Sequence, residues 1–256
     1  CGTCIAVSHQ PNPLHVVEKW TGSFYEKVTL ADIGLVINLG HEGAICPSKW
    51  VKEPSKLVCV HISGIQEIRI RYCECFRREL LDKSENHLQL VQAGLWPATV
   101  AQPSTVLTFA VLRSFHKLTV TSKITAYDFA AFLQRMTNNA AQKRVPERYK
   151  ELLRAARSFD FLQTCRWFGQ EPDVELEAGC LAIKCPSCPW VDLNMDPGWK
   201  QRPQEEQYLD ALSYAKDGNY AQGLHDKLMD KDDRAYTQGA GSFADPREFN
   251  KWLAKY

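Results

Sequence analysis

Leu39-Gly40-His41, followed by Cys46-Pro47 and closed by Tyr72-Cys73-Glu74-Cys75, is the stretch of this sequence that decides its fold. One His and three Cys in this order can fill a tetrahedral zinc shell. A Cys-x-Cys pair is poorly suited to a disulfide with itself, because the backbone would have to fold back too tightly. Both thiolates can instead bind one soft cation. The stretch therefore predicts a zinc site made of His41, Cys46, Cys73 and Cys75.

An alternating run leads into the last two of these cysteines. Ile68 and Ile70 alternate with Arg69 and Arg71, which is typical of a half-buried β-strand. Since side chains alternate along a strand, Cys73 and Cys75 point the same way if the strand continues through them. Further extended runs cover 35–39, preceded by Val28-Thr29-Leu30, and 57–62. A small sheet with ligands at its strand ends predicts a treble-clef-like or B-box-like zinc module.

The first fifteen residues contain a second group of metal-ligand types. Their spacing is Cys1-x2-Cys4-x4-His9-x5-His15, and a Cys-x2-Cys loop directs both sulfurs at one metal. The spacing is like the second half of a B-box-type cross-braced finger. We therefore predict that these four residues bind zinc. If the two groups are cross-braced, a metal can take ligands from both groups.

Composition restricts the class of protein. The 256 residues are enough for one or two domains, and 31 basic residues face 30 acidic ones, a net charge of +1. Any nucleic-acid surface must therefore be local. No apolar run is long enough for a membrane span and no secretory signal is visible, which favours metal binding or free thiols over disulfides. Because the sequence starts at a ligand-type Cys and has no initiator Met, we expect it to be a segment of a longer protein.

The middle of the chain, 90–170, has the apolar spacing of helices. Pro103-Ser104-Thr105 predicts the start of one helix, Thr125 the cap of a second and Pro146 the start of a third, which Gly169 ends. The third helix could lie on phosphate, or its charges could form a solvated face. Its basic residues are Lys143, Arg144, Arg148, Lys150, Arg154, Arg157 and Arg166.

A second cysteine knuckle, Cys185-Pro186-Ser187-Cys188-Pro189, follows the helices. The prolines stiffen the turn, and we predict that Cys185 and Cys188 bind zinc. Spacing does not identify the other two ligands. Cys180 is the nearest candidate, with Cys165 or His225 beyond it, and a pair of buried reduced thiols is the alternative.

Several motifs resemble the CxC-like cysteine-cluster domain that accompanies KDZ (Kyakuja-Dileera-Zisupton) transposases. The family usually has a His where Gln66 stands, and the resemblance continues to the last residues of the chain. The matching segments are Pro13-Leu14-His15 with Trp20-Thr21-Gly22-Ser23-Phe24, Leu35 to His41 with Cys46-Pro47, Ser63 to Ile68 with Tyr72 to Cys75, Trp96-Pro97-Ala98-Thr99, Cys185 to Pro189, Asp217-Gly218-Asn219-Tyr220, and Thr237 to Phe243.

The resemblance implies an α+β chain in three parts. These are a cysteine-cluster zinc domain at 1–80, a helical region at 90–170, and, at 175–256, the knuckle with the first strand of an RNase H-like core. Asp217 resembles the first catalytic carboxylate of that core, which needs three carboxylates on two Mg²⁺ ions to cleave and transfer DNA. We expect the full set to be missing here, so enzyme activity is left open and Mg²⁺ is expected only with a catalytic remainder.

The resemblance also implies partners and a location. It implies DNA, at transposon ends or in chromatin, together with self-association, no membrane and a nuclear location. A B-box-like zinc module that binds proteins and has no nucleic-acid role is the alternative, and the near-neutral charge favours it.

Overall fold

The computed structural model describes residues 1–75, 86–171, 173–191, 193–211, 236–237, 239–242 and 245–255. The chain divides into two compact units, Cys1–Leu162 and Gln163–Tyr256. The described part combines strands and helices, so the α+β class is confirmed at that level. No helix in the described ranges is long and apolar enough to cross a membrane.

The first unit contains a mixed sheet of five strands in the order β3-β5-β4-β7-β6, and a separate antiparallel hairpin of β1 and β2. Within the sheet, β3 runs parallel to β5 and β7 parallel to β4, and the other two pairs are antiparallel. The strands are β1 (Val16–Trp20), β2 (Tyr25–Thr29), β3 (Ile37–Asn38), β4 (Ser55–His61), β5 (Gly64–Arg71), β6 (Leu95–Pro97) and β7 (Thr105–Thr108).

Six α-helices are assigned in the described ranges. Thr125 begins α4 as predicted, since its hydroxyl accepts a hydrogen bond from the Asp128 N–H. Gly169, at φ 65°, follows the end of α5, as the sequence predicted. The helices are α1 (Gly2–Ser8), α2 (Asn86–Gln92), α3 (Phe109–Ser122), α4 (Ala126–Thr137), α5 (Tyr149–Trp167) and α6 (Pro246–Leu253).

The predicted helix start at Pro103–Thr105 is wrong. Thr105–Thr108 is a fully buried strand, in which Val106 pairs with Cys59 of β4 and Leu107 with Val60. Helix α3 starts only at Phe109, where the Thr108 hydroxyl caps it by accepting the Val111 N–H. A short apolar run fits a strand or a helix. Here it forms a strand, since both faces of β7 are buried in the sheet.

Both faces of the sheet carry a hydrophobic core. On one face, Val60 and Leu107 pack with α3, α4 and α5, including the buried Phe129 and Phe159. On the other face, Cys59 and Val106 pack with Leu39, Ile70 and Leu90, of which Leu90 belongs to α2. Adjacent residues of one strand thus enter opposite cores, as the two-residue repeat of a strand requires.

Candidate metal centre

The parallel pairing of β3 and β5 brings the ends of the decisive stretch together. Ile37 lies opposite Ile70 and Asn38 opposite Arg71, and the Leu39 N–H donates to the Arg71 carbonyl at 2.9 Å. Because parallel strands end at the same edge of a sheet, the chain leaves both strands side by side. His41 follows the first strand and Cys73 the second.

Four side chains converge at this edge, namely those of His41, Cys46, Cys73 and Cys75. Their ligand atoms all lie within 4.8 Å of one another. The Cys46 Sγ lies 3.8 Å from the Cys73 Sγ and 3.5 Å from the Cys75 Sγ. The His41 Nε2 lies 3.2 Å from the Cys75 Sγ and 3.3 Å from the Cys73 Sγ. The structure thus brings together the residues predicted to form the first zinc site.

These distances fit zinc. Tetrahedral zinc with bonds of about 2.3 Å to sulfur and about 2.0 Å to nitrogen separates two sulfurs by about 3.8 Å, and a sulfur from a nitrogen by about 3.5 Å. The observed distances between the ligand atoms equal these ideal distances or are slightly shorter. Three thiolates and one imidazole fill all four coordination positions, which is typical of a structural zinc site and leaves no position open for a substrate.

The four ligands differ in burial. Cys46 is buried and Cys73 half-buried, whereas His41 and Cys75 are exposed. Burial opposes ionisation of Cys46, but hydrogen bonds from backbone groups of Glu74 and Ser48, together with those from the Cys75 and His41 side chains, outweigh it and lower the pKa of this thiol to about 6. The neighbouring sulfurs of Cys46 and Cys73 raise the pKa of Cys75 to about 12. Cys46 therefore provides a ready thiolate, and a metal ion must displace a proton from Cys75.

Two residues that sequence reasoning missed shape this site. Gly40 has φ 76°, and a Cβ at this position would lie 3.2 Å from the Cys73 Cβ. The Gln89 side chain binds the backbone of Cys73 at two points. Gly40 belongs to the stretch that decides the fold, but its close approach to Cys73 was not predicted. Gln89 gave no signal, since it stands 16 residues beyond Cys73 in a helix of ordinary composition.

The first group of predicted ligands is only partly assembled. Cys1 and Cys4 lie with their sulfurs 3.3 Å apart at the start of α1, and the rings of His9 and His15 meet edge to face with centroids 5.6 Å apart. Within the described ranges, the only set of three or more ligand types that meets at one point is the one at His41. Zinc binding by these four residues stays a prediction.

The position at which the family usually has a His is buried. The Gln66 amide donates to the Leu14 carbonyl at 2.9 Å and ties β5 to the segment that precedes β1. Gln66 therefore has a structural role, since it holds the residue that precedes the predicted ligand His15. Cys59 is fully buried, and its burial raises the pKa of the thiol to about 12, which agrees with a core residue. His61 forms a hydrogen bond of 2.9 Å with the Thr108 hydroxyl.

The second knuckle lies in the unit Gln163–Tyr256 and is held by its neighbours. The Asn194 amide donates to the carbonyls of Cys188, at 2.8 Å, and Pro186, and the Trp190 indole N–H donates to the Cys185 carbonyl at 2.9 Å. Hydrogen bonds from Ser187 and Cys188 lower the pKa of Cys185. This arrangement favours a thiolate, yet no third ligand joins Cys185 and Cys188 in the described ranges. Asp217 and His225 lie outside the described residues.

A Cys3His cluster at the edge of a mixed sheet defines a cysteine-cluster domain. Residues 30–141 match the family described as CxC2 like cysteine cluster associated with KDZ transposases, so this segment is similar to such a domain. The matched segment contains all four converging ligands together with Gly40 and Gln89. No curated protein and no solved structure matches the chain.

Proposed function

We propose that this chain is the zinc-binding, DNA-associated segment of a KDZ-type transposase, with the site at His41, Cys46, Cys73 and Cys75 serving as a structural zinc centre. The convergence of these four side chains is the observation that carries the proposal. The match of residues 30–141 to a cysteine cluster associated with these transposases supports it. In this reading the chain has the cluster, a helical region and the beginning of an RNase H-like core, and it works in the nucleus.

The proposed task of the segment is to contact DNA or to assemble copies of the protein. Lys143, Arg144 and Lys150 are exposed where α5 begins, and cations in such a position can contact phosphates. Cleavage and strand transfer belong to the whole transposase, since Asp217 needs two further carboxylates to hold Mg²⁺. The function proposed for this chain is therefore binding.

Binding to duplex DNA at varied salt tests the DNA role. A protein that neutralises several phosphates loses affinity steeply as salt rises from about 50 to about 200 mM. The double change Lys143→Glu and Arg144→Glu should weaken binding and flatten the salt dependence. The double change Lys117→Glu and Lys123→Glu, at two exposed cations on and directly after α3, alters the net charge by the same amount and is the matched control. Absence of any binding by the unchanged chain at low salt would contradict the DNA role.

A zinc module that binds a protein partner is the second candidate. The net charge of +1 favours it, because a dedicated DNA-binding domain usually has a strongly basic face. The half-buried positions of Arg154 and Arg157 on α5 also remove part of the basic surface that the sequence suggested. A chain that holds zinc but shows no salt-dependent DNA binding would identify this second function.

A further inference from the structure

The Gln89 side chain forms two hydrogen bonds with the backbone of a metal-ligand residue, Cys73. Its Oε1 accepts the Cys73 N–H at 2.8 Å, and its Nε2 donates to the Cys73 carbonyl at 3.0 Å. One primary amide thus binds both backbone polar groups of one metal-ligand residue. A carboxylate cannot donate and an ammonium cannot accept, so among side chains of similar length only the Gln amide makes both bonds.

The helix that carries Gln89 is firmly anchored. The next residue, Leu90, is fully buried among Leu39, Ile70 and the other residues that line this face of the sheet. Leu39 in turn begins the segment that leads to His41. The amide of Gln89 therefore connects the Cys73 backbone to a core that also fixes the other strand end of the site.

The hydrogen bonds from Gln89 support a part of the backbone that lies beyond the end of the strand. Strand β5 ends at Arg71, so no ladder hydrogen bond of β5 fixes the backbone at Cys73. Without other support, Cys73 and Cys75 would lie on a free strand end, and each would lose conformational entropy on binding a metal. Hydrogen bonds that hold a ligand residue in place before the metal arrives remove part of that cost.

We propose that Gln89 is a positioning residue of the metal centre, which holds Cys73 in its ligating conformation in the metal-free protein. The inference rests on the proposed zinc function of the site. It assigns to α2 a task in metal binding, in addition to its packing on the sheet.

The test compares Gln89→Met with Gln92→Met in the full chain. Methionine has the length of glutamine but forms neither hydrogen bond. Gln92 is exposed, belongs to the same helix, and is therefore the matched control. Titration with Co²⁺ and with Zn²⁺ against a competing chelator gives the affinity, and the thiolate-to-Co²⁺ absorption bands report whether all three sulfurs bind. Far-UV circular dichroism checks that each variant is folded.

Gln89→Met should lower the affinity for both ions by about 10- to 100-fold and change the Co²⁺ bands, and Gln92→Met should leave both unchanged. An affinity of Gln89→Met equal to that of the unchanged chain overturns the role of Gln89 and leaves the zinc site standing. An unchanged chain that binds neither ion overturns the zinc function and this role together.

Amide hydrogen exchange gives a second test, which uses only the unchanged, metal-free chain and does not depend on whether a variant folds. In the metal-free unchanged chain, the Cys73 N–H should exchange slowly, because Gln89 accepts it. Fast exchange at Cys73, at the rate of an unprotected amide, overturns the proposal.

Discussion

The Sγ atoms of Cys46 and Cys73 lie 3.8 Å apart, although the two residues are 27 positions apart in the chain. Two elements produce this proximity. The parallel pair β3 and β5 places both chain exits at one edge of the sheet, and the loop that follows His41 returns Cys46 to the same point. The cluster therefore depends on the register of two strands as much as on the ligands themselves.

Gly40→Ala should weaken zinc binding. The added Cβ would lie 3.2 Å from the Cys73 Cβ, and φ 76° is unfavourable for alanine. Gly43→Ala is the matched control, because Gly43 lies in the same loop at φ 88° and a Cβ there meets nothing within 4 Å. At φ 76° and ψ 179°, Gly40 lies in a region almost closed to side chains, so we expect Gly40→Ala to cost about 1–3 kcal/mol of backbone strain, and Gly43→Ala, also at positive φ, a cost of the same order. A loss of zinc affinity, measured by competition with a chelator, is expected only in Gly40→Ala, and equal affinities of the two variants would contradict the close contact.

Zinc affinity should rise with pH. The pKa of Cys75 is raised to about 12 by the neighbouring sulfurs, so this thiol is protonated in the metal-free protein near neutral pH and must release its proton to bind. Cys46, with a pKa of about 6, is already a thiolate there. Isothermal titration in buffers of different ionisation enthalpy counts the released protons. Binding that releases no proton and keeps the same affinity between about pH 6 and about pH 8 would refute this ionisation pattern.

Leu90→Ala should destabilise the first unit and weaken metal binding together. Leu90 is fully buried, and truncation of such a side chain costs about 2–5 kcal/mol. Leu88→Ala, on the same helix, removes a side chain of a residue that is 50% exposed and should cost less than about 0.5 kcal/mol. Urea unfolding followed by circular dichroism measures the free energy of unfolding of both variants. Equal midpoints for the two variants would show that α2 does not anchor the sheet face.

Local residue patterns predicted the features that depend on neighbours in sequence. The alternation at Ile68 to Arg71 identified β5, Thr125 identified a helix cap, and the spacing of one His and three Cys identified the residues that converge. The helix start predicted at Pro103-Ser104-Thr105 places Val106 and Leu107 in a helix, because a short apolar run has no period of its own. Their pairing with β4, some 47 residues earlier in the chain, makes this run a strand, and a local sequence pattern does not show such a pairing.

The support of the site was also beyond sequence reasoning. The two hydrogen bonds from Gln89 to Cys73 join residues of different elements, and no spacing rule connects them. The close approach of Gly40 to Cys73 arises in the same way, from the parallel register of β3 and β5. Ligand types can be counted in a sequence, whereas the backbone that presents them is fixed by tertiary packing.

The zinc content of the purified chain and of its Cys73→Ser variant, measured side by side by atomic emission spectrometry, tests the central claim most directly. The variant loses a ligand that belongs to no other set in the described ranges. We predict that the unchanged chain carries zinc and that the variant, although folded by circular dichroism, carries one zinc fewer per chain. Equal zinc content in the two proteins, or an unchanged chain without zinc, would contradict a zinc centre at His41, Cys46, Cys73 and Cys75.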